Sequence, residues 1–285
     1  MTGYNNSDAP EESAASRLRV AGVAVGYGDA PIVRDVSLDV PDGALTVLVG
    51  PNGSGKSTLM KAMARVLPVR SGEIRLDGRP IGAMPTREVA KQLALLPQGP
   101  IAPEGLRVRE LVAQGRFPHQ SLLRQWSRGD AEAVDAAMRA ADVIQFADRP
   151  LSDLSGGQRQ RCWIAMVLAQ ETGILLLDEP TTFLDLKVQV ELMRLLRRIT
   201  KEEGRSLVVV LHELNVAAAF ADHLVMMKEG RIRAEGSVER VFTAETLREV
   251  FGFEANVLRD PASGRPVCVP IVGPVETSLP WMAAQ

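Results

Sequence analysis

Eight residues carry the first chemistry of the chain: Gly50-Pro51-Asn52-Gly53-Ser54-Gly55-Lys56-Ser57, with Thr58 following. The glycines let the backbone curl tightly. Successive N–H groups and the positive end of the following helix then converge on one spot, which favours phosphate. In the pattern GxxxxGK[ST] the lysine, Lys56, reaches the β- and γ-phosphates, and the hydroxyl of Ser57 ligates Mg²⁺. The competing reading, a glycine-rich turn before an ordinary helix, has both flanks of the motif against it. A second group is Asp178-Glu179-Pro180 at the end of the apolar run Ile174 to Leu177. Two carboxylates at the end of a buried strand are costly unless a cation or a reaction uses them. A third is Leu154-Ser155-Gly156-Gly157-Gln158-Arg159-Gln160-Arg161, where a glycine pair runs into a helix whose N-terminus can hold an anion. Tyr27, between Gly26 and Gly28, is either a free-standing platform for a base or a plain core or turn tyrosine.

The elements that must hold these groups follow from periodicity. Leu45 to Val49 reads as a buried strand, and Leu59, Met63, Val66 and Leu67 repeat at helical spacing behind the loop. Val23, Val25 and Tyr27 alternate with small residues, and Val36, Leu38 and Val40 alternate with Asp35, Ser37 and Asp39. These predict two half-buried strands before the turn Pro41-Asp42-Gly43. Ile74 and Leu76 before Asp77-Gly78 predict a hairpin, which completes a small antiparallel sheet. Leu93 to Leu96 is a further strand, ending at Pro97-Gln98-Gly99. From Leu106 to about Ala147 the pattern is helical, broken by Gly115, Pro118 and Gly129, as expected of an insertion between two halves of an α/β core. A helix from about Leu186 to Glu203 and a strand from Leu207 to Leu211, ending in His212, complete the alternation. That order implies a mostly parallel sheet with ligands beyond its strand ends.

The 285 residues can bury roughly three quarters of their unfolded surface. The formal net charge of −2 recommends neither nucleic acid nor an anionic membrane surface as a partner. Cys162 and Cys268 lack metal-ligand spacing and read as buried thiols of a reducing compartment. No stretch approaches the eighteen or so apolar residues of a membrane span, and Met1 to Ala15 has no secretory pattern, so a cytoplasmic location is expected. Residues 1–16 are too polar to offset their own ordering entropy and are predicted to be a disordered tail.

Together, the phosphate loop and Leu154-Ser155-Gly156-Gly157-Gln158 resemble the nucleotide-binding subunit of an ABC transporter, over about residues 17–254. The resemblance implies an α/β fold: a P-loop NTPase (RecA-like) core with an N-terminal antiparallel β subdomain, an inserted helical subdomain at about 100–167, and a C-terminal extension at 255–285. It implies ATP and Mg²⁺ as cofactors, with Tyr27 where the family stacks adenine. By the same resemblance Gln98 senses the γ-phosphate and Mg²⁺, Asp178 holds the Mg²⁺ through water, and Glu179 is the general base that polarises the attacking water. His212 matches the switch histidine at the γ-phosphate, and Asp185 belongs to the loop that crosses to the other subunit. Ser155, Gly156, Gly157 and Gln158 then serve the partner's ATP, because two subunits dock head to tail. Glu213, after His212, stands where Asp is common.

Within the superfamily, Pro103 to Gln120 is similar to the helical subdomain of iron-chelate and vitamin B12 importer ATPases, and Val267-Cys268-Val269-Pro270-Ile271 to the ferric-siderophore branch. This implies an ATPase energising uptake of a ferric siderophore, with cobalamin or haem as alternatives. Its partners would be integral-membrane permease subunits and, indirectly, a substrate-binding protein, and its place the cytoplasmic face of the membrane. A soluble scaffold ATPase, as in iron–sulfur cluster assembly, is the reading of a different class. The segment from Glu104 to Gln120 separates the two, because only the importer needs it as a docking groove.

Overall fold

The computed structural model describes residues 16–28, 30–121 and 125–273. The chain opens with strands β1 (Leu18–Val25) and β2 (Val33–Val40), then β3 (Leu45–Val49), helix α1 (Lys56–Met63), β4 (Ser71–Leu76) and the short β5 (Arg79–Pro80). After α2 (Thr86–Ala90) and β6 (Leu93–Leu96) come three helices, α3 (Val108–Gln114), α4 (Arg128–Ala140) and α5 (Gly156–Ala169). The chain then alternates through β7 (Ile174–Asp178), α6 (Leu186–Glu203), β8 (Ser206–Val210), α7 (Leu214–Phe220), β9 (His223–Lys228) and β10 (Arg231–Gly236). Two short helices, α8 (Val238–Val241) and α9 (Ala244–Phe251), lead to the hairpin β11 (Ala255–Arg259) and β12 (Pro266–Pro270).

The larger sheet has the order β10-β9-β3-β8-β7-β6, and all of its neighbouring strands are parallel except β10 against β9. Its central strands are buried along their whole length because both faces are covered, which is why they read as unbroken apolar runs. Val47, Leu175, Leu177, Leu207 and Val209 face one core, with Trp163 and Ile164 of α5 and Leu192 and Leu196 of α6. Leu48, Leu176, Val208 and Val210 face the other, with Leu59, Met60 and Met63 of α1 and the apolar sides of β1 and β2. Helix α1 is thus clamped between the two sheets.

The smaller sheet has the antiparallel order β2-β1-β4-β5. Its first strand differs from the expectation over Val23 to Tyr27: it begins at Leu18, slips register between Val20 and Val23, and ends at Val25. The slip follows from Gly22 at φ +57°, a bulge that alternation cannot reveal. Asp77 and Gly78 both have positive φ and join β4 to β5, as the predicted hairpin requires. In the helical insertion the break at Gly115 is real, but Gly129 lies inside the first turn of α4. There Ser127 and Asp130 form a capping box that starts the helix ahead of the glycine. Of the predicted tail, residues 1–15 lie outside the described residues, while the Ser16 hydroxyl lies 2.5 Å from Val40 O.

Arg116 pins the insertion to the core. Its guanidinium donates to Asp130 (2.9 Å), Ala169 O (2.6 Å) and Glu171 (2.6 Å), and the side chains of Arg116 and Asp130 are 7% and 6% exposed. Arg116→Met leaves the Asp130 carboxylate buried with only its capping partners, a change expected to cost about 3 kcal/mol. A lowered urea midpoint checks this, and an unchanged midpoint would mean that the helical insertion is held by packing alone.

Both cysteines are buried and unpaired, and burial pushes the Cys162 thiol up to about 12. Among the described residues no helix is long and apolar enough to cross a membrane.

Candidate nucleotide site

The loop between β3 and α1 closes around Lys56. Its ammonium donates to Gly50 O (2.7 Å) and Pro51 O (3.0 Å), and the residue is 5% exposed. Burial pushes the amine below its ordinary range, while the carboxylates of Glu179 and Asp178 pull it back up. A Cβ on Gly50 would fall 2.2 Å from Met227 O, so only glycine lets the loop lie this close to β9. Gly55 caps α1 at φ +102°, Asn52 and Gly53 form the exposed rim, and Ser54 and Thr58 are buried. The cradle is formed by the fold itself.

Three neighbouring parallel strands deliver the rest from their carboxyl ends: Gln98 beyond β6, Asp178 and Glu179 at the end of β7, and His212 beyond β8. The Ser57 hydroxyl donates to Asp178 (2.8 Å), which is 2% exposed. Burial pushes the Asp178 carboxyl above the usual carboxylate range, against the pull of that hydrogen bond. A bound cation would reverse that shift, and two hard oxygen donors suit Mg²⁺. Glu179 leaves the strand with a left-handed backbone, φ +53°, which a glutamate adopts only when its surroundings enforce it. Gln98 donates to one of its oxygens (2.5 Å), as does Thr182 (3.2 Å), and His212 Nε2 lies 2.6 Å from the other. Thr182 was not singled out in the sequence: nothing in its spacing distinguishes a hydroxyl that holds Glu179 from any other loop threonine.

The remaining candidates occupy helix ends. Ser155 caps α5, accepting from Gln158 N–H (3.3 Å), while the Gln158 side chain accepts from Ser155 N–H (3.0 Å). Asp185 caps α6, accepting from Val188 N–H (3.0 Å). A cavity of about 290 Å³ has Gln98, Asp178 and Glu179 on one wall and Gly156 and Arg159 on another. Tyr27 lies beyond β1, 53% exposed, with its hydroxyl 3.4 Å from the Lys61 ammonium. That exposure removes the core reading of the tyrosine and leaves the turn and base-platform readings standing.

The family model described as ABC transporter matches residues 33–182, more than half of the chain. The chain belongs to the ABC transporter family. It is similar to a probable siderophore transport system ATP-binding protein of Bacillus subtilis, 51% identical over 90% of this chain and 93% of the relative. A petrobactin import ATP-binding protein of Bacillus anthracis is 46% identical over 89% of this chain and 93% of its own. Among solved structures, a dimeric bacterial ABC transporter cassette superposes with a TM-score of 0.68 at 27% identity, covering 78% of this chain and 98% of the cassette. Accordingly the protein is an ABC-type ATPase, with the α/β P-loop architecture of that family.

Proposed function

We propose that this ABC ATPase is the ATP-hydrolysing subunit of an importer for ferric siderophores. The observation that carries the ATPase part is Glu179, held by Gln98, Thr182 and His212 beside the Lys56 loop. A carboxylate oriented from both sides and set next to a phosphate cradle can take a proton from an attacking water. Lys56 and the loop amides from Gly50 to Gly55 hold the β- and γ-phosphates of ATP, and Tyr27 stacks the adenine. Ser57, Asp178 and Gln98 would hold Mg²⁺. The ion, when bound, neutralises charge on the phosphoryl group in flight. His212 steadies Glu179 and reaches the γ-phosphate. Ser155, Gly156, Gly157, Gln158 and Asp185 close the ATP of a second, head-to-tail copy, so hydrolysis requires a dimer.

The importer part rests on the similarity to siderophore and petrobactin relatives over nearly the whole chain. The helical segment leaves Ile101 and Phe117 exposed, a surface for permease subunits on the cytoplasmic face of the membrane. The chelate itself would reach those subunits through a substrate-binding protein. Deleting the gene and following labelled ferric siderophore, cobalamin and haem in iron-starved cells tests the assignment. Loss of siderophore uptake is the expected result. Intact siderophore uptake with loss of either other substrate would overturn the chelate while leaving the importer. Failure to co-purify with a polytopic membrane protein would count against the importer itself.

A further inference from the structure

Gln189 is a buried polar residue, 8% exposed, on the first turn of α6, and no role in nucleotide chemistry has been given to it above. Its side-chain amide spends both hydrogens: it donates to Leu184 O at 3.0 Å and to a Glu213 carboxylate oxygen at 3.1 Å. The other Glu213 oxygen faces the Thr181 hydroxyl at 3.4 Å. Glu213 follows His212 directly and precedes α7, whereas Thr181 and Leu184 bracket the loop between Glu179 and Asp185. The loop and the His212 segment are therefore joined at three places: Glu179 to His212, Thr181 to Glu213, and Leu184 through Gln189 to Glu213.

This loop is also packed against the start of α5. Leu184 lies 3.8 Å from where a Gly156 Cβ would be, and a Cβ on Gly157 would fall 2.5 Å from Val188. The loop carries Phe183, wholly exposed and at φ +64°, a backbone that a bulky aromatic residue adopts only under constraint. What His212 senses can thus be passed, through groups in direct contact, to the two helix ends that face outward.

We infer that Gln189 and Glu213 form a positioning bridge that sets the loop from Thr181 to Asp185 according to the state of His212, and so couples ATP engagement in one subunit to closure on the other. The inference rests on the two-subunit site proposed above. Neither residue touches the reacting atoms; both act through the loop. A buried amide with both donors satisfied loses two bonds at once when replaced by an apolar residue of the same size, and strands the Glu213 carboxylate.

The test uses the full-length protein and four variants, Gln189→Leu, Glu213→Leu, Glu213→Gln and the double leucine variant, with thermal melting to establish folding. Each leucine variant should keep its affinity for a fluorescent ATP analogue as a monomer but lose about 10- to 100-fold in kcat. The cooperativity of hydrolysis in ATP should fall to a Hill coefficient of about 1. Glu213→Gln retains an acceptor for Gln189 and should recover most of the turnover, and the double variant should be no worse than either single. In the Glu179→Gln background, adding Gln189→Leu should weaken the ATP-dependent dimer seen by size-exclusion chromatography. Folded leucine variants with unchanged kcat and cooperativity, or additive losses in the double variant, would overturn the bridge. If Glu179→Gln dimerises with ATP and Gln189→Leu leaves that dimer intact, the bridge falls and the two-subunit site stands. If Glu179→Gln alone stays monomeric, both readings fall.

Discussion

Glu179→Gln lowers ATP turnover by roughly 10²- to 10⁴-fold while leaving ATP binding in place. The amide matches the carboxylate in size, so Gln98 and Thr182 still have an oxygen to donate to and the loop keeps its shape. What it lacks is basicity: it cannot take the proton of the attacking water, and it offers His212 no negative charge at 2.6 Å. Lys56, Ser57 and Asp178, to which nucleotide and Mg²⁺ binding is assigned above as a proposal, are untouched. In the proposed two-subunit site hydrolysis is the step that releases the pair, so a slow variant should accumulate as a dimer in ATP and Mg²⁺. Light scattering behind a sizing column, with and without ATP, reads this directly. Near-normal turnover would remove Glu179 from the role of base, and a monomer that persists in ATP would count against a site shared between two copies.

Much of this geometry was legible in the sequence, for one physical reason: groups at the carboxyl ends of neighbouring parallel strands must meet. Leu93 to Leu96, Ile174 to Leu177 and Leu207 to Leu211 could each be read as a buried strand, and Gln98, Glu179 and His212 follow them. Strand order in the sheet does the rest, since β6, β7 and β8 are adjacent. Motif and flanking periodicity likewise located the Lys56 cradle. The bulge at Gly22 was not legible, because a strand with one extra residue keeps its apolar composition while shifting its register. The first turn of α4 was obscured by Gly129, whose helix-breaking tendency is overridden by the Ser127–Asp130 cap. The bridge through Gln189 was invisible for another reason. Its partners, Leu184 and Glu213, are 5 and 24 residues away in sequence, and they meet only because α6 and the His212 segment pack side by side. The sequence offered Asp185 and Ser155 as nucleotide ligands by resemblance. The fold gives both a local duty as helix caps, and the two roles are compatible because the Ser155 cap uses the hydroxyl as an acceptor and not as a donor, and the Asp185 cap uses one of two carboxylate oxygens.

Lys56→Ala abolishes useful ATP binding. The ammonium is held inside the loop, 5% exposed, by Gly50 O and Pro51 O, at the place proposed above for the β- and γ-phosphates. A charged donor in such a water-poor site is worth about 3–4 kcal/mol, or roughly 10²- to 10³-fold in affinity. Calorimetric titration with a slowly hydrolysed ATP analogue checks this, and Lys56→Arg separates charge from fit: a bulkier guanidinium keeps the charge but cannot enter a loop that already closes on a lysine. The depressed amine provides a second readout. Burial shifts the amine toward its neutral form in the free protein, whereas phosphate beside it favours the charged form, so binding takes up protons at pH values between the free and the bound pKa. Affinity should therefore decline as pH rises through the depressed value, and the measured heat should vary with the ionisation enthalpy of the buffer. Lys56→Ala should lose that buffer dependence together with its affinity. Retention of both would mean that ATP does not bind at the loop from Gly50 to Ser57, and the assignment of every residue grouped around it would fall with that result.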